Sequence, residues 1–390
     1  MNSSTVTSTT RTAAPVARSE RSLAPDLARG FMLLFIALAN AGNWAFAGSP
    51  GLDPDPTGWF AKVWNFVDLL LIDARAYPVF ALMFGYGLVQ LAHRQRGRGA
   101  DPRRILVRRN AALVVLGAVH GTLLYFGDFL GAYGIVGLVA TFLLVRRSER
   151  FHRIVLVLWG IQLVSVAWFA FRAVTGNGGS AGFVNSPTDS LAASSYGSSL
   201  MHRLAEWPAH TLQVLPFIVI VWLGMWAASK GILEHPERHR KLLRLTAAGG
   251  LGIAVAAGLP YALAGAGVLH ASPDTIDRFA ALTNIAGEYA GPGYVALFGL
   301  LAIRLRRSQP VTGAIAALGQ RSLSGYLFQS VCWMAVFAPF ALDWGHSDAH
   351  AVLVALTVWL VSVAAAAIMQ RRRYAGPAER LLRKFVYGSV

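Results

Sequence analysis

The feature that most constrains this chain is a recurrence of long apolar runs, separated by short connectors rich in arginine. A helix that crosses a bilayer needs about 20 mainly apolar residues. Ten stretches of that kind lie near 28–46, 76–93, 105–126, 128–145, 153–173, 210–229, 243–268, 283–303, 322–342 and 351–370. The segment "WFAKVWNFVDLLLI" (59–72) is too short and too polar to span. The expected fold is therefore all-α: a polytopic transmembrane helical bundle of about 10 spanning helices, plus one interfacial or re-entrant helix.

Composition agrees. Of 390 residues, 55% are hydrophobic and 14% charged, where soluble domains carry about 25% charged residues. The net charge of +16 does not point to nucleic acid, because its cations cluster in "HRQRGRGADPRRILVRR" (93–109), "RRSERFHR" (146–153), "KGILEHPERHRKLLR" (230–244), "RLRR" (304–307) and "QRRR" (370–373). These connectors alternate along the chain with loops poor in Lys and Arg, at 47–58, 174–209, 269–282 and 343–350. By the positive-inside rule, both termini are expected in the cytosol of a multi-pass inner or plasma membrane protein. Residues 1–24 read as a disordered cytosolic tail, and 25–390 as a single transmembrane domain. Within that domain, 174–209 is a long extracytoplasmic loop and 371–390 a cytosolic helix or tail. The single cysteine, Cys332, excludes an internal disulfide and a cysteine-rich metal site. No metal site is expected.

Charged and polar groups at membrane depth are costly and mark functional interiors. At about 1.5 Å per residue, His120 lies roughly 22 Å up its helix and Asn40 roughly 18 Å up the first one. Glu288 enters from the outer side to a similar depth, and Asp128 stands at the outer turn. His120 is the one histidine of the ten that the spans place deep in the bundle. Its ordinary pKa of about 6.5 suits proton capture and release, although hydrogen-bonded packing is the competing account. Asp128, which opens a span after Gly127, is read either as an N-cap or as a group that orients His120. Tyr133, one turn further in, is a pocket candidate. Asp26 and Arg29 share a helix face at i, i+3, as a capping pair or as the edge of an anion site. Arg75, a cation on the arginine-poor side, is expected to pair with Asp68, Asp73 or a ligand.

Five stretches in chain order carry a resemblance: "DLARGFMLLFIALAN", "FALMFGYGL", "RRNAALVVLGAVHGTLLYFGDFLGAYGIVGLVATFLLVRR", "GQRSLSGYLFQS" and "GPAERLLRKFVYG". Together they resemble the YeiB family of bacterial membrane proteins across nearly the whole chain. That family is similar in its first spans to the transmembrane acyltransferase superfamily, which includes heparan-α-glucosaminide N-acetyltransferase. The resemblance implies transfer of an acyl group from cytosolic acyl-CoA to an extracytoplasmic hydroxyl or amine. It places Asn40 near the reacting centre, ten residues after Gly30. Two departures stand out. The outer loop "AGSPGLDPDPTGW" lacks the histidine of the heparan enzyme, and Gly325 occupies a position where an asparagine is expected.

The resulting expectation is an acyl-CoA-dependent acyltransferase, with acetyl-CoA as donor. His120 acts as general base or acyl carrier, Asn40 stabilises the oxyanion and Asp128 orients the histidine. Arg29, Asp26, Arg75, Tyr133, Glu288, Tyr326 and Gln329 bind substrate, and the loop cations Arg103, Arg104, Arg108 and Arg109 meet the CoA phosphates. The partners are the lipid bilayer and a glycan or lipid acceptor, and a homodimer is compatible with the sequence. The alternative is a transporter of a small or lipidic solute that uses the same polar layer as its binding site. A scaffold whose polar groups merely hold helices together is the third reading.

Overall fold

The computed structural model describes residues 22–143, 148–175 and 186–388. The tail at 1–21 and the centre of the long loop, 176–185, lie outside the described residues. The chain is an all-α membrane protein, and its only strands among the described residues are two antiparallel residue pairs, Gly48–Ser49 and Ser186–Pro187. By length and apolarity, five helical stretches suffice to cross a membrane. Several shorter apolar helices pack among them.

In chain order, α1 is Leu23–Ala45 and α2 is Trp59–Val67, the latter continued by a π-helical turn at Asp68–Ile72. Next come α3 (Ala76–Gly97), α4 (Pro102–Leu123) and α5 (Leu130–Leu143). The expected span at 153–173 is broken at Gln162 into α6 (Glu149–Ile161) and α7 (Leu163–Thr175). After a short α8 (Asp189–Ala192), α9 (Tyr196–Val214) leads through a single 3-10 turn into α10 (Ile218–Ser229). The remaining helices are α11 (Arg240–Gly265), α12 (Pro273–Arg304), α13 (Pro310–Gly319), α14 (Ser322–Phe337), α15 (Asp348–Arg371) and α16 (Pro377–Tyr387).

Each of the ten expected spans contains helix, but two helices start earlier than expected and one helix was not expected. The stretch 196–209, expected as loop, is already helix, because Ser195 caps it by accepting the Ser198 N–H. Pro208 is accommodated inside that helix. α12 likewise starts ten residues before the apolar run, at Pro273, which takes the first helical position where no N–H is needed. α13 was not expected, since ten residues rise only about 15 Å and carry no spanning signal.

α1 is the hub of the bundle and touches α3, α12, α13, α14 and α15. α3 and α10 pack as a second close pair. There, Gly85 and Gly224 let the backbones meet: a Cβ on Gly85 would stand 1.8 Å from the Val221 carbonyl oxygen, and one on Gly224 would stand 1.9 Å from that of Leu82. Lipid supplies no hydrophobic force between helices, so small residues at such crossings are what allow van der Waals contact. Gly85→Val should cost about 3 kcal/mol, the upper end for overpacking. The loss should appear as a lower melting temperature in detergent, followed by fluorescence-detected gel filtration; an unchanged melting temperature would show that the crossing tolerates a side chain.

Candidate functional site

A cavity of about 630 Å³ runs through the bundle beside α1. Its lining on that helix extends from Asp26 to Asn43, a rise of about 25 Å. α3, α4, α5, α9, α14 and α16 supply the other walls. One end carries Asp26, Arg29, Arg94, Arg109 and Glu379. The other carries Asn40, Asn43, Asp73, Tyr77, Tyr125 and His210. Between them the walls are mostly apolar and aromatic, including Ile36, Phe80, Phe84, Leu113 and Phe129.

At the charged end, the Asp26 carboxylate accepts from Arg307 at 3.1 Å and from Gln320 at 2.9 Å. Arg29 donates to the Met83 carbonyl at 2.9 Å. The Arg109 guanidinium lies over the Phe84 ring, 5.1 Å from its centre. Arg109 belongs to the first turns of α4, so the arginine-rich connector delivers it directly to the cavity wall. Arg103, Arg104 and Arg108 of the same connector do not line the cavity.

At the other end, Asn40 and Asn43 project from one face of α1 onto the same phenol. The Tyr125 hydroxyl donates to Asn40 Oδ1 at 3.3 Å and accepts from Asn43 Nδ2 at 3.1 Å. Tyr133 donates to the Tyr77 carbonyl at 2.8 Å, and its ring stacks on Phe84. Asp73 leaves the π turn and enters the cavity wall just before Ala74, whose φ of 56° is left-handed. A non-glycine residue in that region costs about 1–2 kcal/mol, and such strain gathers at functional sites. His210, on α9, meets the rings of Phe126 and Phe129 edge-on and lines the same chamber.

His120 stands one layer behind this wall. Its Nδ1 lies 2.8 Å from Asp128 Oδ1 and its Nε2 lies 2.8 Å from Ser330 Oγ, all three side chains being buried. A neutral imidazole protonated on Nδ1 satisfies the whole chain: it donates to Asp128 and accepts from Ser330. Asp128 uses its second oxygen to accept the Gly131 N–H at 2.8 Å, so it caps α5 and orients the histidine at once. The Tyr326 ring, 5.0 Å from the imidazole, separates it from the cavity, which Tyr326 lines. Asp128 and Ser330 do not line the cavity either. The three together tie α4, the start of α5 and α14 to one another.

Of the residues expected at the site, Asn40, Asp26, Arg29, Tyr133 and Tyr326 line the cavity, whereas His120, Asp128, Arg75, Glu288 and Gln329 do not. Arg75 forms no ion pair with Asp68 or Asp73. It donates to the carbonyls of Thr283 (3.1 Å) and Ala254 (3.4 Å), joining α3 to α11 and α12. Glu288 faces away and accepts from Gln162 at 2.8 Å, at the break between α6 and α7. Gln329 donates to the Leu33 carbonyl at 3.1 Å. Asn43, Asp73 and His210 are cavity residues that the sequence reading passed over. Asn43 had a visible signal, its i+3 spacing from Asn40. His210 was read only as the outer end of the span at 210–229. Asp73 was read only as a counter-ion.

This geometry predicts opposite outcomes for two histidines. His120→Ala leaves Asp128 buried without its partner and should cost about 3–5 kcal/mol. Ser330→Ala should cost about 1 kcal/mol, and His210→Ala should change the melting temperature least. Equal melting temperatures for the two histidine variants would overturn the structural assignment of His120.

Residues 227–389 match a family described as a protein of unknown function, DUF418. The chain is similar to the uncharacterized protein YeiB of Escherichia coli (strain K12), with 26% identity covering 94% of this chain and 96% of that one. It is 23% identical to the uncharacterized protein YxaH of Bacillus subtilis (strain 168), over 96% of both chains. A 39.9 kDa protein from the amylase 3' region of Bacillus acidopullulyticus is 31% identical over 32% of this chain and 34% of its own. The similarity to YeiB runs nearly end to end, and the DUF418 match covers the part from the end of α10 to α16. The chain is therefore similar to YeiB across nearly its whole length and carries the DUF418 match in its carboxyl-terminal part.

Proposed function

We propose that this protein is a membrane acyltransferase that passes an acyl group from cytosolic acyl-CoA to an acceptor on the outer side, such as an envelope glycan or lipid. One observation carries the reading: a single cavity joins an arginine-bearing end to a hydrogen-bonding chamber of amides, phenols, Asp73 and His210 about 25 Å away along α1. Its volume is in the range of small-molecule sites. The distribution of basic connectors supports a cytosolic location for the arginine end and for both termini.

In this reading, Arg29, Arg94 and Arg109 meet the phosphates of the donor, for which planar guanidinium groups are suited. The apolar middle of the cavity holds the pantetheine arm and delivers the thioester to the outer chamber. There the acceptor oxygen attacks the thioester carbonyl carbon. His210 takes the hydroxyl proton, the carbon–sulfur bond breaks, and the same proton passes to the departing CoA thiolate. The amide of Asn40 or Asn43 stabilises the oxyanion, a contribution of about 10²–10³ in comparable sites. Asp73, which shares the chamber, holds the acceptor hydroxyl or the imidazolium. His120 is a positioning residue here, since its contacts set the turn that presents Tyr125 and Gly127 to the cavity.

The test uses reconstituted protein, labelled acetyl-CoA on the cytosolic face and an envelope extract outside, with release of free CoA as the readout. His210→Ala should lower turnover about 10²–10⁴-fold, the usual worth of general-base help, with CoA binding unchanged. Arg109→Gln should weaken CoA binding with less effect on turnover at saturation. No binding of CoA by the wild-type protein would sink the proposal. Solute flux without CoA would favour the transporter, which the through-going cavity also suits.

A further inference from the structure

The carboxyl-terminal stretch "GPAERLLRKFVYG" stands outside the chemistry above, yet it forms part of the cavity. α16 begins at Pro377 and carries Glu379 and Leu382 into the cavity wall. Glu379 accepts the backbone N–H groups of Leu323 (2.9 Å) and Ser324 (3.1 Å), so it caps the second and third positions of α14 from outside that helix. Ser324 in turn accepts the Ala378 N–H at 3.0 Å. Gly376 permits the joint: a Cβ there would stand 2.0 Å from Glu379 Oε2 and 2.4 Å from Ser324 Oγ. The Gly-Pro-x-Glu run is thus a clasp that holds α16 against α14.

The opposite side of α16 is uncovered in the chain. Leu381 and Phe385, one turn apart, are 44% and 54% exposed. Beside them on the helix surface stand Arg380 and Lys384, also one turn apart and exposed. Arg380 lies over the ring of Tyr374, itself exposed, at 4.8 Å. Arg371, Arg372 and Arg373 immediately precede this region and are exposed as well. The only carboxylate of the helix, Glu379, is consumed in the clasp. An exposed apolar strip flanked by uncompensated cations and a tyrosine is the surface that a helix presents when it lies in a membrane interface.

We propose that α16 is an interfacial helix whose exposed side binds the anionic lipid headgroups of the cytosolic leaflet. Leu381 and Phe385 enter the acyl boundary, while Arg380, Lys384 and the preceding arginines meet the phosphates. Because Glu379 and Leu382 are on the other side of the same helix, this lipid contact seats one wall of the cavity. The inference rests on the orientation proposed above, with the carboxyl terminus cytosolic.

The test places an environment-sensitive fluorophore on Phe385→Cys, in a full-length Cys332→Ser background. Nanodiscs of phosphatidylcholine alone are compared with nanodiscs containing equal parts of phosphatidylcholine and phosphatidylglycerol. The label should be about tenfold less accessible to the neutral quencher acrylamide in the anionic discs, as expected for two or more cations near a charged surface. The difference should shrink at high salt and vanish in Arg380→Gln/Lys384→Gln, whose changes fall on exposed side chains. Leu381→Asn should expose the label in both lipids. Equal quenching in the two lipids, or a lipid dependence that survives charge neutralisation, would overturn the proposal. No CoA is involved, so this outcome and that of the acyl-transfer assay are independent.

Discussion

Inside a bilayer there is no water to satisfy a stray polar group, so each one must find its partner within the protein or along a water-filled space. The Asp128–His120–Ser330 chain is the most complete instance. An imidazole buried at membrane depth has two nitrogens to satisfy, and the fold answers with one carboxylate oxygen on one side and one hydroxyl on the other. That single requirement connects three helices, sets the turn between α4 and α5, and fixes the register of α14. The Arg75 guanidinium obeys the same rule with carbonyls of α11 and α12, and Glu288 obeys it with Gln162.

Other polar groups line the cavity, among them Asp73 and His210 at one end and Arg29, Arg94 and Arg109 at the other. Its two ends differ in kind: one carries arginines together with Asp26 and Glu379, whereas the other is built mainly from amides, phenols and one imidazole. The proposed donor, with a phosphate-rich head and a long, weakly polar arm, is the kind of molecule this pairing of ends is proposed to hold. α16 completes the charged end through a cap contributed from 55 residues away in sequence to Ser324.

Much of the helical inventory was legible. Apolar length located stretches that are helical in the structure, five of them long and apolar enough to cross a bilayer, because bilayer thickness sets a length that needs no tertiary context. Boundaries were legible only where the polar flanks were plainly loop. α9 began fourteen residues before its apolar run, and α12 ten residues before its own, since helix is stabilised there by capping and packing rather than by hydrophobicity. α13 escaped because ten residues are too few to span. For the site, depth counting found His120, Asp128 and Asn40 at one level, and the structure does join His120 to Asp128 and Asn40 to Tyr125. Depth says nothing about the direction in which a side chain points around the helix. Glu288, at matching depth, faces another part of the bundle.

The sequence by itself determined the class of protein, the places where helices run, and the short set of polar residues that a lipid-embedded bundle must account for. Those follow from local properties: apolar length, charge placement and spacing along one helix. Only the tertiary structure decided which polar residues face the cavity and which are spent on holding helices together. His120 and His210 illustrate the point, as the histidine that looked catalytic is enclosed by partners and the one that looked peripheral lines the chamber. The physical reason is that pairing depends on the rotation and crossing of neighbouring helices, which are set by contacts between residues far apart in the chain, such as Gly85 with Val221 and Glu379 with Leu323.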